Sequence, residues 1–457
     1  MHKTVVLNVV GLAPAFIGPD MPRVATWASS GRTAGVVPAF PALTTTAQAD
    51  YVTGQYPSVH GVVGNGWYSR EDCEVKFWKQ ANPLVQAPKI WDAARAIDPS
   101  FTCANLFWWF NMYSTVDYAV TPRPMYPADG RKLPDVHSHP GSLRDDLQRE
   151  LGQFPLFEFW GPRSSIRSSQ WIAAASRQVE VKHSPTLTLV YLPHLDYGLQ
   201  QHGIDLPAIR ADLRAIDDVA GALIEFYEDR GARVIVLSEY GLNDVSRPIH
   251  LNRALREQGL LAVREERGLE LLDAGASAAF AVADHQVAHV YVNDATTLAH
   301  VKAIVSQLPG VEAVLDRHDQ AALHIDHPRA GDLVAISAPD AWFTYYYWLD
   351  DRRAPDFART VDIHRKPGYD PVELFLDPAI RFPPLYVGWR LFKRSLGLRT
   401  LLDVTPLDAT LVKGSHGRPG DAGAHGPVCI SRQGDLFSGD RMRSIDVYGV
   451  IWKHLTA

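Results

Sequence analysis

Residues 40–61 read FPALTTTAQADYVTGQYPSVHG and carry the most informative pattern in the chain. A run of hydroxyl side chains, Thr44 to Thr46, stands where a loop is predicted to turn into a short helix. A turn marked by glycine and proline follows and ends in His60-Gly61. Such an arrangement presents a hydroxyl group, with backbone N–H groups behind it, to an anion such as a phosphoryl group. Taken alone, the run is more typical of residues that cap a helix, and three later segments shift the balance towards chemistry.

Three short runs of β-branched and apolar residues indicate strands that are covered on both faces. They are residues 4–10, 186–192 and 233–237. Apolar residues recur at helical spacing over residues 206–228, between the second run and the third. Strand, helix and strand in that order predict an α/β fold with a mostly parallel central sheet and helices on both faces.

Ligand sites of parallel sheets lie beyond the carboxyl ends of the strands. Two predicted strands lead directly into Val10-Gly11 and Ser238–Gly241, and a third leads into His194–Asp196. The hydroxyl run, Thr44 to Thr46, would lie at the same edge if it follows the next element of the fold. We therefore expect four separate pieces of sequence to meet in one crevice.

The length of 457 residues predicts a large domain with additions. We expect one α/β domain over residues 1–457, with an aromatic-rich cap at about 67–183, where no strand–helix rhythm is visible. A strand, helix, strand pattern at about 259–340 indicates a small α+β insertion.

The order of four segments resembles the type I phosphodiesterase/nucleotide pyrophosphatase family of the alkaline phosphatase superfamily. They are residues 40–61, 191–203, 237–241 and Gly414-Ser415-His416-Gly417. The resemblance implies an alkaline-phosphatase-like fold from residue 4 to about residue 430, two zinc ions, and a threonine that attacks phosphorus. It places Thr44 at the nucleophile and Asn65 at the amide that contacts a non-bridging phosphoryl oxygen.

The resemblance also implies a divalent metal, zinc by preference, but this sequence departs from the family at several ligand positions. Asp196 and His416 match the first metal site, whereas Gln200 stands where the family has histidine. At the second site the family's two aspartates and one histidine correspond to Val10, Glu239 and Tyr240. Neither site reaches the three protein ligands usual for a catalytic zinc without a substitute. Candidate substitutes are Asn8, on the strand face of Val10, and His364, on a Pro-Gly loop.

Several further side chains are candidates for substrate binding. Arg365, Lys366 and Arg418 would offer positive charge to phosphate, and Trp67 would line a pocket for a flat group. The alternative for Arg365 and Lys366 is a solvated polar loop. The alternative for Trp67 is that it packs in the hydrophobic core and contacts no ligand.

These features predict a metal-dependent hydrolase of a phosphodiester or phosphoanhydride, acting on a phosphorylated small molecule through Thr44. The alternative is a catalytically impaired pseudo-enzyme that binds a phosphorylated metabolite, which Val10 and Tyr240 favour. A third possibility is transfer of the phosphoryl group to an alcohol, as in the superfamily's cofactor-independent mutases.

Composition and targeting signals narrow the class of protein. A net charge of −6 argues against general nucleic-acid binding, and no apolar run is long enough to span a bilayer. The N-terminus lacks the features of a signal peptide, and three widely spaced cysteines indicate no disulfide framework, so we expect a cytoplasmic protein. Residues 388–399 mix aromatic, apolar and basic side chains; an ordinary amphipathic helix with basic residues in solvent is favoured over contact with a membrane surface. The sequence does not indicate an oligomeric state.

Overall fold

The computed structural model describes residues 1–128, 130–398 and 400–457. The strands are β1 (Thr4–Val9), β2 (Arg32–Val37), β3 (Gly66–Ser69), β4 (Glu74–Phe77), β5 (Cys103–Leu106), β6 (Tyr118–Pro122), β7 (Val136–His139), β8 (Leu187–Leu192), β9 (Arg233–Leu237), β10 (Asn243–Asp244), β11 (Arg247–Ile249), β12 (Val263–Glu266), β13 (Leu269–Leu272), β14 (Ala279–Asp284), β15 (Val287–Val292), β16 (Val311–Leu315), β17 (Leu333–Ser337), β18 (Ala341–Phe343), β19 (Gly414–Ser415), β20 (Val428–Ser431) and β21 (Arg441–Arg443). The α-helices are α1 (Pro22–Ala28), α2 (Thr44–Thr53), α3 (Pro57–His60), α4 (Ile90–Ile97), α5 (Gly141–Leu151), α6 (Ile166–His183), α7 (His194–His202), α8 (Leu206–Glu228), α9 (Leu251–Glu257), α10 (Leu298–Ser306), α11 (Arg317–Ala322), α12 (Pro383–Ser395) and α13 (Asp446–Thr456).

A large sheet forms the centre of the molecule, with the strand order β21-β2-β20-β9-β1-β8-β5-β6-β7. Strands β9, β1, β8, β5 and β6 run parallel, and only β20 and β7 oppose their neighbours within the described residues. The predicted α/β fold with a mostly parallel sheet is confirmed.

The predicted strand, helix, strand unit is present as β8, α8 and β9. Strand β1 lies between the two strands, so that Thr4 pairs with Leu187 on one side and Arg233 on the other. All residues of β1 and β8 are buried, which explains why their sequences are apolar on both faces. The parallel strands end at the same edge, and that edge carries the segments that contain Val10, Asp196 and Glu239.

The segment predicted as a cap, 67–183, is not separate from the sheet. Its strands β5, β6 and β7 complete one side of the large sheet, and its helix α6 packs against α8. The sequence did not reveal these three strands, because they are only four or five residues long and lie among aromatic residues that hide their pattern.

The range predicted as an insertion, about 259–340, contains a second sheet. Its antiparallel strands have the order β14-β15-β17-β16, and α10 and α11 contact β16. A separate apolar core surrounds this sheet. The turn from β14 to β15 points at the carboxyl edge of the large sheet, as the contacts below show.

Helix α12 differs from the other helices because it buries none of its residues within the described structure. The interpretation of this stretch as an ordinary amphipathic helix with its basic residues in solvent is wrong in one respect: its large apolar side chains are the ones most exposed to solvent. Among the described residues, no helix combines the length and apolar character that crossing a membrane requires.

Candidate active site

Thr44 is the first residue of α2, at the carboxyl edge of the large sheet. Its Oγ1 lies 3.2 Å from the phenol oxygen of Tyr240, which follows β9. The residue that caps the helix is Leu43, and it makes no side-chain capping hydrogen bond with the described residues. The capping role considered for this hydroxyl run therefore does not apply, and the Thr44 hydroxyl is directed at the segment after β9.

Asn65 is held beside the same helix by three hydrogen bonds. Its side-chain Oδ1 accepts from the backbone N–H of Thr45 at 3.2 Å. Its side-chain Nδ2 donates to Asp284 Oδ1 at 3.2 Å, and its backbone N–H donates to Asp284 Oδ2 at 2.9 Å. Burial raises the pKa of Asp284 to about 7, although these hydrogen bonds oppose the rise. An amide NH₂ has two hydrogens, so Asn65 keeps one donor for a further acceptor.

Glu239 is buried after β9 and is bound by two amide donors. Nδ2 of Asn8 and Nε2 of Gln48 both donate to its Oε1, at 2.5 Å and 2.6 Å. Its Oε2 has no hydrogen-bond partner among the residues that the structure describes. Burial raises the pKa of Glu239 to about 8, against the lowering effect of the hydrogen bonds from Gln48 and Asn8 and of the nearby Thr44 hydroxyl.

Asp196 lies in the first turn of α7, and with Gln200 it forms a second group of site residues beside those around Thr44. Its Oδ2 accepts from Gln200 Nε2 at 2.7 Å, while Gln200 Oε1 accepts from the Tyr369 hydroxyl at 2.9 Å. Burial raises the pKa of Asp196 to about 7, and the hydrogen bond from Gln200 together with the nearby Tyr240 hydroxyl opposes the rise. Gln200 thus offers its NH₂ group, not its carbonyl oxygen, to the neighbouring carboxylate.

His416 follows β19, which pairs with β10 and so lies near the residues after β9. Its Nδ1 donates to the Ala42 carbonyl oxygen at 2.7 Å, which leaves Nε2 as an acceptor without a partner in the described structure. Burial lowers the pKa of His416 well below its usual value, and the nearby His285 adds to this effect. The imidazole is therefore neutral.

Four rings pack against one another through the site, and we call them the aromatic stack. His416 lies 3.5 Å from Tyr240 and 3.8 Å from His285, measured between ring centroids. Tyr369 lies 3.7 Å from His285 on the far side. At the ends of the stack, the Tyr240 phenol contacts Thr44 and the Tyr369 phenol contacts Gln200. The stack therefore connects the group around Thr44 with the group of Asp196 and Gln200.

The residues at the family's ligand positions do not fit a two-metal centre. Asp196 Oδ1, Glu239 Oε2 and His416 Nε2 are buried acceptor atoms without partners in the described structure. However, no group of three or more His, Cys, Asp or Glu side chains within residues 1–128, 130–398 and 400–457 is arranged to hold a metal ion. Amide NH₂ groups hydrogen-bond the other oxygen of each carboxylate, Asp196 Oδ2 and Glu239 Oε1, so neither carboxylate presents two free oxygens to a cation.

Restoring one family ligand tests this interpretation. We expect Gln200→His to raise the affinity for zinc by at least about tenfold, because an imidazole would add a third ligand to Asp196 and His416, and even outer partners of metal ligands contribute that much. Titration of the purified protein with zinc, followed by calorimetry, measures the change. Gln201→His is the matched control, since Gln201 donates to the Leu374 carbonyl oxygen outside the site. Equal zinc affinity of both variants would contradict the interpretation.

The buried carboxyls also predict how stability depends on pH. Glu239 and Asp196 ionise at about pH 8 and about pH 7 in the folded protein, whereas unfolded carboxyls ionise near pH 4. The folded state then binds more protons, so the free energy of unfolding falls as pH rises through this range. Buried histidines such as His416 have lowered pKa values and act in the opposite direction up to about pH 7.5, about one unit above the pKa of unfolded histidine.

We therefore expect the melting temperature to fall by about one degree between about pH 7.5 and pH 9. Glu239→Gln should flatten this fall, because the amide does not ionise. Glu71→Gln, which changes an exposed carboxyl, should leave it unchanged. Scanning calorimetry across the range measures all three proteins, and a melting temperature that rises with pH would contradict the assignment.

The remaining predicted residues have partners of their own in the structure. His364 Nδ1 lies 3.3 Å from the Phe77 carbonyl oxygen. The Lys366 ammonium is fully buried and contacts Asp370 and Glu373, each at 2.7 Å. Its charge is therefore already balanced by two carboxylates, which leaves no free ammonium for phosphate.

The other three candidates for substrate binding also have partners. Arg365 is half-exposed, with Asp356 3.7 Å away. Arg418 makes a bidentate pair with Glu312 at 2.6 Å and 2.7 Å. Trp67 is buried in an apolar cluster beneath the guanidinium of Arg329, 4.8 Å from the ring centroid. Substrate contact by these residues stays a prediction.

Sequence reasoning missed four residues that complete the site. Gln48, Asp284, His285 and Tyr369 all contact the predicted residues. One signal was present in the sequence: Asp284-His285 is an Asp-His pair at the end of an apolar strand. The family has such a pair where this chain has Glu239-Tyr240, after β9. Its place in the insertion concealed it.

Solved structures with the same fold come from two kinds of protein. Phosphonoacetate hydrolase from Sinorhizobium meliloti, in complex with phosphonoformate, superposes with a TM-score of 0.61 and 16% identity, over 99% of this chain and 96% of that chain. An inactive variant of murine ectonucleotide pyrophosphatase/phosphodiesterase 5, in complex with AMP, has a TM-score of 0.59 and 14% identity, over 100% and 95%. At these identities the likeness concerns the fold alone.

Curated relatives match about half of the chain. An uncharacterized pyrophosphatase/phosphodiesterase of Schizosaccharomyces pombe is 25% identical over 220 residues, which is 46% of this chain and 38% of that protein. Ectonucleotide pyrophosphatase/phosphodiesterase 1 of Saccharomyces cerevisiae is 24% identical over 235 residues, 47% of this chain and 29% of that protein. The matches thus span well under half the length of these relatives.

A family profile covers far more of the chain. The profile described as type I phosphodiesterase/nucleotide pyrophosphatase matches residues 4–370, which include Thr44, Asn65, Asp196 and Glu239. With the fold and the order of the site segments, this match gives the identity at family level: the chain belongs to the type I phosphodiesterase/nucleotide pyrophosphatase family.

Proposed function

We propose that the chain hydrolyses a phosphodiester or phosphoanhydride bond in a phosphorylated small molecule, with Thr44 as the nucleophile. The observation that carries the proposal is the Thr44 hydroxyl, 3.2 Å from the Tyr240 phenol at the carboxyl edge of the sheet. Family membership supports the class of reaction. The neighbours that bind AMP and phosphonoformate support a small anionic substrate.

In the first step Thr44 Oγ1 forms a bond to phosphorus, and the bond to the leaving oxygen breaks with its electron pair. The Thr44 proton passes to Tyr240, whose phenol passes its own proton to Asp196. The leaving oxygen then takes a proton from Asp196. A pKa of about 7 suits Asp196 to both roles near neutral pH, because both of its protonation states are populated there.

In the second step water attacks the phosphothreonine. One proton of the water passes to Asp196, the bond between phosphorus and Oγ1 breaks, and Oγ1 recovers a proton through Tyr240. Asn65 would direct its remaining N–H at a non-bridging phosphoryl oxygen, where negative charge develops. No step in this sequence requires the family's two-metal centre.

A second candidate function is binding of a phosphorylated metabolite without hydrolysis. Val10 cannot ligate a metal, and the NH₂ group of Gln200 occupies one oxygen of Asp196. Members of the superfamily generally depend on divalent metals, so loss of ligands favours loss of turnover. Zinc remains a prediction of the resemblance, and so does a cytoplasmic location.

One paired experiment separates the candidates. The purified protein is analysed for metals and assayed with aryl phosphate mono- and diesters, before and after treatment with a chelator. Turnover of the diester that survives chelation supports the mechanism through Tyr240 and Asp196. Turnover that zinc restores supports the resemblance instead. Saturable binding of AMP without turnover in either condition would establish the second candidate.

A further inference from the structure

Five large apolar side chains form one face of α12 and its N-cap, which we call the outer face. They are Phe382, Leu385, Trp389, Phe392 and Leu396. Their spacing of three or four residues places them on one side of a helix. Each is between 53% and 73% exposed, whereas soluble proteins seldom leave so many large apolar residues together in water. Leu398, Leu401 and Leu402 are also exposed and extend the apolar surface beyond the helix.

The large side chains beside and behind the outer face are less exposed than those on it, and they include Val387 and Leu391 as well as basic residues. Arg390 donates to the Tyr386 hydroxyl at 2.5 Å and to Asp403 at 2.6 Å. Lys393 and Arg394 are less exposed than the apolar residues of the outer face. The helix is thus oriented with its apolar side away from the molecule, the reverse of a helix that packs on a core. In the described chain nothing covers the outer face.

The charge around the outer face is strongly positive. Residues 381–398 contain four Arg and Lys and no Asp or Glu, in a chain with a net charge of −6. Arg381, Lys393 and Arg394 form no ion pair with a carboxylate in the described residues. The Lys393 ammonium lies 5.3 Å from the Trp389 ring centroid, so one positive charge borders the outer face directly.

We propose that the outer face docks the protein on a bilayer that contains anionic lipids. A helix that lies in the membrane interface inserts Trp, Phe and Leu at the boundary of headgroups and acyl chains, with Lys and Arg at headgroup level. The arrangement of α12 matches both requirements. A second copy of the chain fits less well, because a two-fold contact through this face would bring two basic surfaces together.

Co-sedimentation with vesicles tests the proposal. The wild-type protein should bind vesicles of about 30% phosphatidylserine in phosphatidylcholine, and raising the salt concentration should weaken the binding. Trp389→Glu with Phe392→Glu should lower the affinity at least about tenfold, because both side chains lose their apolar contact and repel anionic lipid. Lys393→Glu with Arg394→Glu should weaken binding and reduce its dependence on salt.

The matched control introduces two glutamates at exposed apolar residues elsewhere. Ile97→Glu with Val181→Glu changes the charge equally at side chains that are 67% and 64% exposed, and it should bind vesicles like the wild type. Melting temperatures confirm that all variants fold. Absence of wild-type binding, or equal loss in the control, would overturn the proposal. So would an oligomer that Trp389→Glu with Phe392→Glu converts to monomer without any vesicle binding, because a second copy would then cover the outer face.

Discussion

Thr44→Ala is expected to lower kcat for an aryl phosphodiester by about a thousandfold or more, as removal of a covalent nucleophile does in other hydrolases. The alanine side chain cannot form the bond to phosphorus, and no other hydroxyl of α2 contacts Tyr240 in the described structure. Steady-state kinetics of the purified variant measure the loss. Thr44→Ser keeps a hydroxyl and should retain part of the activity.

Thr46→Ala is the matched control for this prediction. Thr46 lies in the same helix and is fully buried, but its Oγ1 has no hydrogen-bond partner in the described part of the chain. Its removal should change kcat by less than about threefold, because no contact with the site is lost. Unchanged turnover in Thr44→Ala would show that another group attacks phosphorus, and the mechanism would have to be abandoned.

Lys366→Met is expected to cost about 3–5 kcal/mol in the free energy of unfolding. The ammonium lies 2.7 Å from both Asp370 and Glu373, and all three side chains are at most 3% exposed. Without Lys366, two carboxylates remain buried with no cation. Urea denaturation measures the loss, which should be smaller at low pH because the carboxylates can then protonate.

Arg365→Met is the neighbouring control. The Arg365 guanidinium is half-exposed and its carboxylate partner lies 3.7 Å away, so its replacement should change stability by no more than about 0.5 kcal/mol. Adding Asp370→Asn to Lys366→Met should recover part of the loss, because one uncompensated charge disappears. A loss below about 1 kcal/mol for Lys366→Met would contradict the buried ion pairs.

The centre of the fold could be predicted because its signals are local. Strands β1, β8 and β9 are continuous apolar runs, and α8 has an apolar face of regular period. Strand β5 could not be found in this way, since its four residues lie among aromatic side chains that also suit a loop or a core.

The order of segments typical of the family predicts Thr44, Asn65 and Asp196 as site residues, and their roles stay predictions. The contacts that surround them are a different matter, because they depend on distant parts of the chain. The sequence could not reveal that Gln200 turns its NH₂ group towards Asp196, because the orientation depends on the Tyr369 hydroxyl 169 residues away. The approach of His285 to His416 likewise depends on how the second sheet packs against the first.

The aromatic stack has a consequence for how a substrate enters. Its rings come from the segment after β9, the segment after β19, the turn between β14 and β15, and the loop before residue 370. The buried rings therefore connect the parallel sheet to the antiparallel sheet, and separating the two sheets would expose all four rings to water at once. Thr44 is only 4% exposed and its hydroxyl contacts one ring of the stack, so a substrate reaches it only if these side chains move. The rate of catalysis would then depend on the movement of these side chains as much as on the chemical step.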